Sequence, residues 1–539
     1  MEDSTDRFLN RFKRIILVFI FINTTVLVVC LANFDVQKDG NGGAKSFMEI
    51  VENLVKEQRS KQKPINYYSR NDNSDSYQPK FSKRRSPPIF NGPQNSRQKE
   101  IVGAFLNSWK EYRRHAWGKD ELRPITQTYD NEYGLGLTII DSLDTAIIMG
   151  LDKEVKASIE WLEHDFKLKN TFVNTFETTI RVLGGLLSAY HLTGEPIFEK
   201  HAKIIGDGLL GAFVFTPFPL NRVNLATSTG ASLSQYSTLA EIGSLQLEFR
   251  ELSEITKDPR YVNAIERANK MLLKNNCPGE TMCSSMIDVF AEKFIDTVKT
   301  VGAKTDSFYE YLLKQYLQTG EVQYLKSWNT AINSIENQAY RKLRNNKTFI
   351  IGEIEMSGDF NPKMDHLACF LPGSLALSYL QGHELAGKHL EMAENIAETC
   401  YKMYKTPTGL APEMIYWKGS RMVAKTFDRY SLLRPEALES FFYLYRITGN
   451  RKYQDWSWEI FQAIQKYAKL PTGGYTSIAN VFETENVERF DKMESFFLAE
   501  TLKYLYLTMA DDQMILPLDQ WVFNTEAHPL PIYHRKEGK

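Results

Sequence analysis

From position 98 onward, apolar residues recur at intervals of three and four, the period of helices, in blocks of two alternating kinds. Blocks such as TTIRVLGGLLSAYHL, SLQLEFREL, FYEYLLKQYL, SLALSYL, SFFYLYRI and SFFLAETLKYLYL are apolar almost all round. Blocks such as PIFEKHAKII, PRYVNAIERANKML, VQYLKSWNTAI and RKYQDWSWEIFQAI carry one apolar face and a face rich in Lys and Glu. Helices of the first kind are enclosed and those of the second cover them. Between them stand turns of one type: Thr193-Gly194, Thr256-Lys257, Thr319-Gly320 and Thr448-Gly449, with weaker copies at Met149-Gly150, Leu380-Gln381-Gly382 and Met509-Ala510. Glycine there is a helix C-cap signal. The interval is about sixty residues throughout, allowing for the copy at 380–382. The pattern predicts seven helical hairpins, an all-α chain, and a closed (α/α)7 barrel in preference to an open solenoid. Strand-like alternation is confined to loop pieces such as Phe349-Ile350-Ile351.

The N-terminal part is patterned differently. Ile15–Phe34 carries no charge, and twenty helical residues at about 1.5 Å each span roughly 30 Å, a bilayer core. Arg7, Arg11, Lys13 and Arg14 precede it. The positive-inside rule then gives a cytoplasmic tail over 1–14, a transmembrane signal-anchor over 15–34 and a luminal remainder. The competing reading is a cleaved signal peptide, but no small-x-small cleavage site follows. Residues 35–97 are too polar to bury a core and read as a stem, with a basic triplet at 83–85 that suits a protease or is simply solvated. The barrel domain is 98–536.

Composition narrows the functions. Hydrophobic residues at 43% and charged residues at 24% are ordinary, and a net charge of −1 gives no case for nucleic acid as a partner. Cys30 lies in the anchor. Cys277, Cys283, Cys369 and Cys400 form an even set in an oxidising compartment, with three possible pairings. Asn346-Lys347-Thr348 is the one glycosylation sequon beyond the anchor.

Acids stand at the heads of the enclosed helices. In LLRPEALESFF, Pro435 suits a first turn, Glu436 meets the positive end of the helix dipole, and Glu439 shares its face. The residues opening the seven enclosed helices are Asp141, Glu177, Glu241, Asp306, His366, Glu436 and Glu494. Singly, each acid reads as an N-terminal cap. In a ring of hairpins they converge at one end, where mutual repulsion and burial raise some of their pKa values. Glu177 and Arg181, four apart, pair on one face. Many carboxylates without a zinc-type His/Cys cluster, a GxSxG elbow or a phosphate loop suit glycoside hydrolysis, which needs one acid and one base, and a hard cation that takes oxygen ligands.

At these residues the chain resembles the class I α-1,2-mannosidases, glycoside hydrolase family 47. The matching segments are Thr175–Arg181, Asp306–Lys314, Lys363–Leu367, Leu433–Glu436, Asp491–Phe496 and Phe523–Pro529. The resemblance implies inversion at the anomeric carbon and bound Ca²⁺, held by the hydroxyl and carbonyl oxygens of Thr525. It implies Glu436 as general base and Glu177 as general acid, through a water, with Asp306 as third catalytic carboxylate and rival for the acid role. Arg181, His366, Arg434, Glu439, Glu494 and Glu526 would line the pocket. The family's disulfide maps to Cys369–Cys400, leaving Cys277–Cys283 as a possible short bridge. Two residues before Asp306, endoplasmic-reticulum members carry Arg and Golgi members Leu; Lys304 here keeps the charge without the fork, so the arm trimmed first and the choice between Golgi and endoplasmic reticulum stay open. The implied partner is the high-mannose (Man9GlcNAc2-type) N-glycan of glycoproteins, met by an enzyme held to the membrane through its single N-terminal helix. A non-catalytic mannose-binding lectin of glycoprotein quality control with the same fold is the alternative.

Overall fold

The computed structural model describes residues 19–22, 25–28, 86–344 and 347–533. The chain divides into two units, Met1–Asn73 and Ser74–Lys539. In the first, Phe19–Ile22 pairs antiparallel with Thr25–Val28, where the sequence pattern leads to one helix. Phe, Ile, Thr and Val are residue types that favour a pleated strand. The remainder of the expected anchor, the stem to position 85 and the sequon residue Asn346 lie outside the described residues. No helix among the described residues is long and apolar enough to cross a membrane.

In the second unit, seven helical segments form a ring. They are Leu137–Asp141 with Leu143–Ile148, Thr178–Leu183 with Gly184–Thr193, Leu239–Gly243 with Gln246–Thr256, Asp306–Thr319, His366–Phe370 with Leu371–Tyr379, Glu436–Thr448, and Phe497–Thr501 with Leu502–Thr508. Each packs on the next and the last on the first, so the ring closes. Outer helices Asp152–His164, Pro196–Leu209, Pro259–Lys274, Val322–Gln338, Ala386–Met403 and Lys452–Tyr467 each pack on the inner helix before them. The contrast in patterning follows: Glu436–Thr448 is buried from Ala437 through Leu444, whereas Pro259–Lys274 buries only Tyr261, Ala264, Ile265, Ala268 and Leu272.

The recurrent threonine has one physical job. Thr193, Thr256, Thr319 and Thr448 each donate to the carbonyl four residues back, at 2.6–2.8 Å, and accept the N–H two residues on, at 3.0–3.3 Å. This closes the last turn of the inner helix and starts the next element. Gly194, Gly320 and Gly449 follow in the left-handed region. At the second turn Lys257 takes that conformation, with φ 58°.

The seventh turn departs from the repeat. Met509–Asp512 leads to no outer helix. The seventh outer place is filled from the other end of the chain by Ser96–His115, which packs on Leu502–Thr508. A ring of hairpins needs one joint made by distant segments, and it falls here. The released C-terminal segment turns into the lumen as a hairpin, Trp521–Phe523 against Pro529–Pro531, buried along its length. It lies against Gly184–Thr193 and Asp306–Thr319. A Cβ at Gly184 would stand 2.6 Å from Asn524 Nδ2, and one at Gly185 2.6 Å from the Ile140 carbonyl oxygen, so the paired glycines allow close approach of plug and neighbouring helix.

Because every inner-to-outer turn is short, all inner helices run the same way. Their heads meet at one end, the mouth, and their turns at the other. The long connections at the mouth hold short antiparallel sheets that join adjacent repeats: Phe172–Asn174 with Arg222–Asn224, Tyr236–Thr238 with Met286–Asp288, and Lys363–Asp365 with Met414–Lys418. Strands of three to five residues are too short to leave a periodic signal. Disulfides Cys369–Cys400 and Cys277–Cys283 are both formed; the first ties the fifth inner helix to its outer partner.

Candidate active site

Helix heads and the luminal hairpin turn place the functional side chains. Glu436 opens its helix directly after Pro435. Its Oε2 lies 2.8 Å from His366 Nδ1, and His366 Nε2 lies 2.7 Å from the Tyr404 hydroxyl. Burial pushes the Glu436 carboxyl up, but the hydrogen bond with His366 and the charge of Arg434 outweigh it and hold Glu436 below the usual range.

Asp306 opens its own inner helix and is tuned the other way. Burial dominates; the Ser307 N–H pulls back, Glu436 and Glu310 push further, and the group titrates at about 7. Glu439, one turn after Glu436, is pushed to about 8 by burial against the opposing charge of Lys314. Lys314 Nζ is 3.5 Å from Glu439 and hydrogen-bonds Glu310.

Arg181 connects the other side of the pocket. Its Nε donates to Glu177 Oε2 at 2.7 Å, and its Nη1 to Glu526, to Ser495 Oγ at 3.2 Å and to Asp141 at 3.5 Å. Asn174 caps the Glu177 N–H. Arg434 donates to Glu413, and the guanidinium groups of Arg181 and Arg434 each stand 5.8 Å from the Phe496 ring.

Thr525 and Glu526 sit on the turn of the luminal hairpin, above a buried ionic lattice. Asn524 accepts the N–H groups of Glu526 and His528 and donates to Glu248. His528 bridges Asp144 at 2.8 Å and Asp141 at 3.2 Å, while Lys503 joins Asp144 to the Ala527 carbonyl. Asp141, Asp144, Lys503, Asn524 and His528 are all fully buried. Removing any one of them leaves another charged or polar group unpaired. Lys304, Leu433 and Ala527 have φ of 80°, 61° and 59°. Each stands within three residues of a site carboxylate, as stored backbone strain often does.

Not every head acid joins this cluster. Glu241 closes a capping box with Thr238 and accepts from Ser237. Glu494 pairs with Lys492 at 2.9 Å, which also holds Glu121 at 3.2 Å. Lys304 is exposed. Glu500, Glu310, Lys314, Glu413 and Tyr404 also belong to the site, and the helix-head pattern does not mark them. Glu500 is buried within the lumen and pushed well above the usual range by burial and by Glu526 and Glu436. Glu526 is pushed up likewise by burial, with Arg181 opposing, and the two carboxyls share a hydrogen bond. Glu500 had a signal in the sequence: an acid inside the otherwise apolar SFFLAETLKYLYL.

The donors around Thr525 suit a hard cation. They are oxygens, with the carboxyl groups of Glu439, Glu500 and Glu526 outnumbering the cations Lys314 and Arg181, and Glu439 Oε1 meets Lys314 Nζ only at 3.5 Å. Among the described residues no three His, Cys, Asp or Glu side chains form a direct cage, so an ion here would take Thr525 oxygens and waters.

A closed α/α barrel whose mouth gathers tuned carboxylates over a plugged floor is the architecture of a carbohydrate-processing enzyme. Residues 104–532 match glycosyl hydrolase family 47, and the chain belongs to that family. It is 46% identical over 454 residues to an endoplasmic reticulum mannosyl-oligosaccharide 1,2-alpha-mannosidase of Homo sapiens, covering 81% of this chain and 64% of that protein's length. It is 42% identical to the mannosyl-oligosaccharide 1,2-alpha-mannosidase MNS3 of Arabidopsis thaliana, covering 81% of this chain and 79% of the relative. Among solved structures, an alpha-1,2-mannosidase from Trichoderma reesei superimposes with a TM-score of 0.75 at 29% identity, over 82% of this chain and all of that one.

Proposed function

We propose that the protein is a Ca²⁺-dependent, inverting exo-α-1,2-mannosidase that trims high-mannose, Man9GlcNAc2-type N-glycans in the secretory pathway. The observation that carries the chemistry is the opposite tuning of two neighbouring carboxyls. Glu436 is held below its ordinary pKa, and Asp306 is raised to about 7. Two carboxyls driven apart in this way divide naturally into base and acid. Glu436 takes a proton from water as that water attacks the anomeric carbon. Asp306 gives its proton to the departing glycosidic oxygen, and the α-linkage yields β-mannose. Glu177, hydrogen-bonded to Arg181, is the alternative donor, through a water. A lumen floored by the hairpin at 521–531 suits a terminal sugar, hence exo cleavage.

Thr525 would hold Ca²⁺ through its hydroxyl and carbonyl oxygens, and the ion would supply charge that anchors sugar hydroxyls. Arg181, Arg434, Phe496, Glu439, Glu500 and Glu526 would border the bound sugar, with Lys304 and Glu494 toward the rim. Two disulfides and the endoplasmic reticulum relatives support a secretory compartment. The uncharged run at 15–34 supports membrane anchoring on its composition alone, and retention in the pellet after alkaline carbonate extraction tests it.

The deciding experiment follows a high-mannose glycan by proton NMR. Free mannose is expected to appear first as the β-anomer and to stop on calcium chelation. Binding without release would leave the lectin reading in its place.

A further inference from the structure

We propose that Tyr404 is a positioning residue for the base: its hydroxyl selects the tautomer of His366, and His366 in turn turns one oxygen of Glu436 toward the reacting water. The proposal rests on Glu436 being that base.

Tyr404 belongs to the outer layer. It caps the outer helix Ala386–Met403, yet its ring is buried and meets the His366 ring edge-on, with centroids 5.6 Å apart. The chain of contacts is linear: Tyr404 hydroxyl to His366 Nε2 at 2.7 Å, His366 Nδ1 to Glu436 Oε2 at 2.8 Å. The His366 backbone N–H is fixed to the Glu413 carbonyl at 2.8 Å, so the ring enters from a held main chain.

A neutral imidazole has one donor nitrogen and one acceptor. When the Tyr404 O–H donates to Nε2, the proton must sit on Nδ1, and Nδ1–H donates to the Glu436 carboxylate. In the other tautomer a lone pair on Nδ1 would face a carboxylate oxygen at 2.8 Å. Two acceptors at that distance are tolerated only when Glu436 carries a proton, and a protonated Glu436 is not a base. Tyr404 thus favours the arrangement in which Glu436 is ionised. With Oε2 bound to His366, the carboxylate is held in one orientation.

The hydroxyl has one other outlet. A small cavity bounded by His366, Tyr404, Glu413 and Arg434 has room for about one water. A Tyr404 that donated into this cavity would accept from Nε2–H and impose the opposite tautomer. The ionisable groups facing Glu436 are His366, Arg434, Asp306 across the ring, Glu439 on the same helix and Glu500 on the seventh inner segment, with the Tyr404 phenol behind His366. Replacing Tyr404 by Phe leaves every charge in that set in place.

The test compares wild type, Tyr404→Phe, the full protein with 3-fluorotyrosine at 404, and Glu436→Gln, on one high-mannose glycan across pH. For Tyr404→Phe, kcat is expected to fall about tenfold with KM within about twofold. The acidic limb of kcat/KM is expected to move up by about one pH unit, because Glu436 loses its donor and protonates more readily. The fluorinated phenol, a stronger donor of the same shape, is expected to move the limb down. A limb that stays in place in both variants overturns the proposal, even where melting temperature falls, since a purely structural Tyr404 changes stability and not the pH profile. A limb moved in the reverse sense assigns the cavity-facing tautomer and overturns it too. Glu436→Gln separates the two levels. If it stays active, the base assignment itself falls. If it is inactive while Tyr404→Phe keeps the wild-type profile, only the tautomer relay falls.

Discussion

Arg181 and Glu526, 345 positions apart in sequence, share a hydrogen bond in the lumen, and the same guanidinium holds Glu177. One side chain therefore couples the second inner helix to the plug that closes the barrel. Arg181→Met would leave Glu526 buried beside Glu500 and Asp141 with no cation. Breaking one partner of a buried pair costs about 3–5 kcal/mol. Denaturant unfolding should report a loss of that size. Arg181→Lys keeps the charge but not the fork and should retain more stability than activity.

The acid and the base can be separated by leaving group. Glu436→Gln should lower kcat by about 10²–10⁴-fold on every substrate, because the water needs its base whatever departs. Asp306→Asn should be as damaging on the natural glycan but recover activity on an aryl α-mannoside whose leaving group needs no proton. If Glu177→Gln is the variant rescued, the donor is Glu177.

The rate should be bell-shaped in pH. The alkaline limb reports loss of the Asp306 proton near pH 7, and the acidic limb reports protonation of Glu436, below the ordinary glutamate value.

Stability should follow the raised carboxyls. Asp306, Glu248 and Glu121 titrate at about 7 and Glu439 at about 8 in the folded chain. Each binds a proton more tightly folded than unfolded, so its contribution is present below the unfolded value near 4 and is lost as pH rises to about 7–8. Asp141, Asp144 and Glu436 are lowered and act oppositely, losing their contribution in acid. Calcium-free protein should thus melt higher near pH 5.5 than at pH 8, and calcium should close the gap, since a cation offsets the ionised cluster. Equal melting temperatures at the two pH values, without calcium, would mean the cluster is not charged as described.

The two bridges should differ in worth. Cys369–Cys400 closes a separation of 31 residues and Cys277–Cys283 one of 6. Loop-closure entropy favours the longer. Cys400→Ser should cost about 3–4 kcal/mol in chemical denaturation, and Cys283→Ser clearly less.

The repeat was legible because it is local. Threonine, glycine and the alternation of enclosed and amphipathic helices are each set within a few residues, and the convergence of helix-head acids follows once the ring is assumed. What escaped depends on distance or on helix phase. The helix over 96–115 carries no mark saying that it completes the seventh pair, because that contact joins the two ends of the barrel. Taking the acid at the head of the last inner segment selects Glu494. The π-helical turn at Phe497–Thr501 instead carries Glu500 inward, and such a turn is not written in the apolar spacing. Tyr404 and Glu413 reach the pocket from an outer helix and a mouth loop, so no inner-helix pattern points to them.

The segment that leads into the barrel is held at the end opposite the mouth. Asn95 donates to the Met509 carbonyl, and a Cβ on Gly92 would lie 3.6 Å from the Met149 carbonyl oxygen. Both carbonyls belong to the far ends of inner helices, remote from Glu436 and Asp306. The stretch from Gly92 to Asn95 therefore enters the barrel at its blind face. The mouth, where Glu436 and Asp306 open their helices, is thereby left clear of the entering segment.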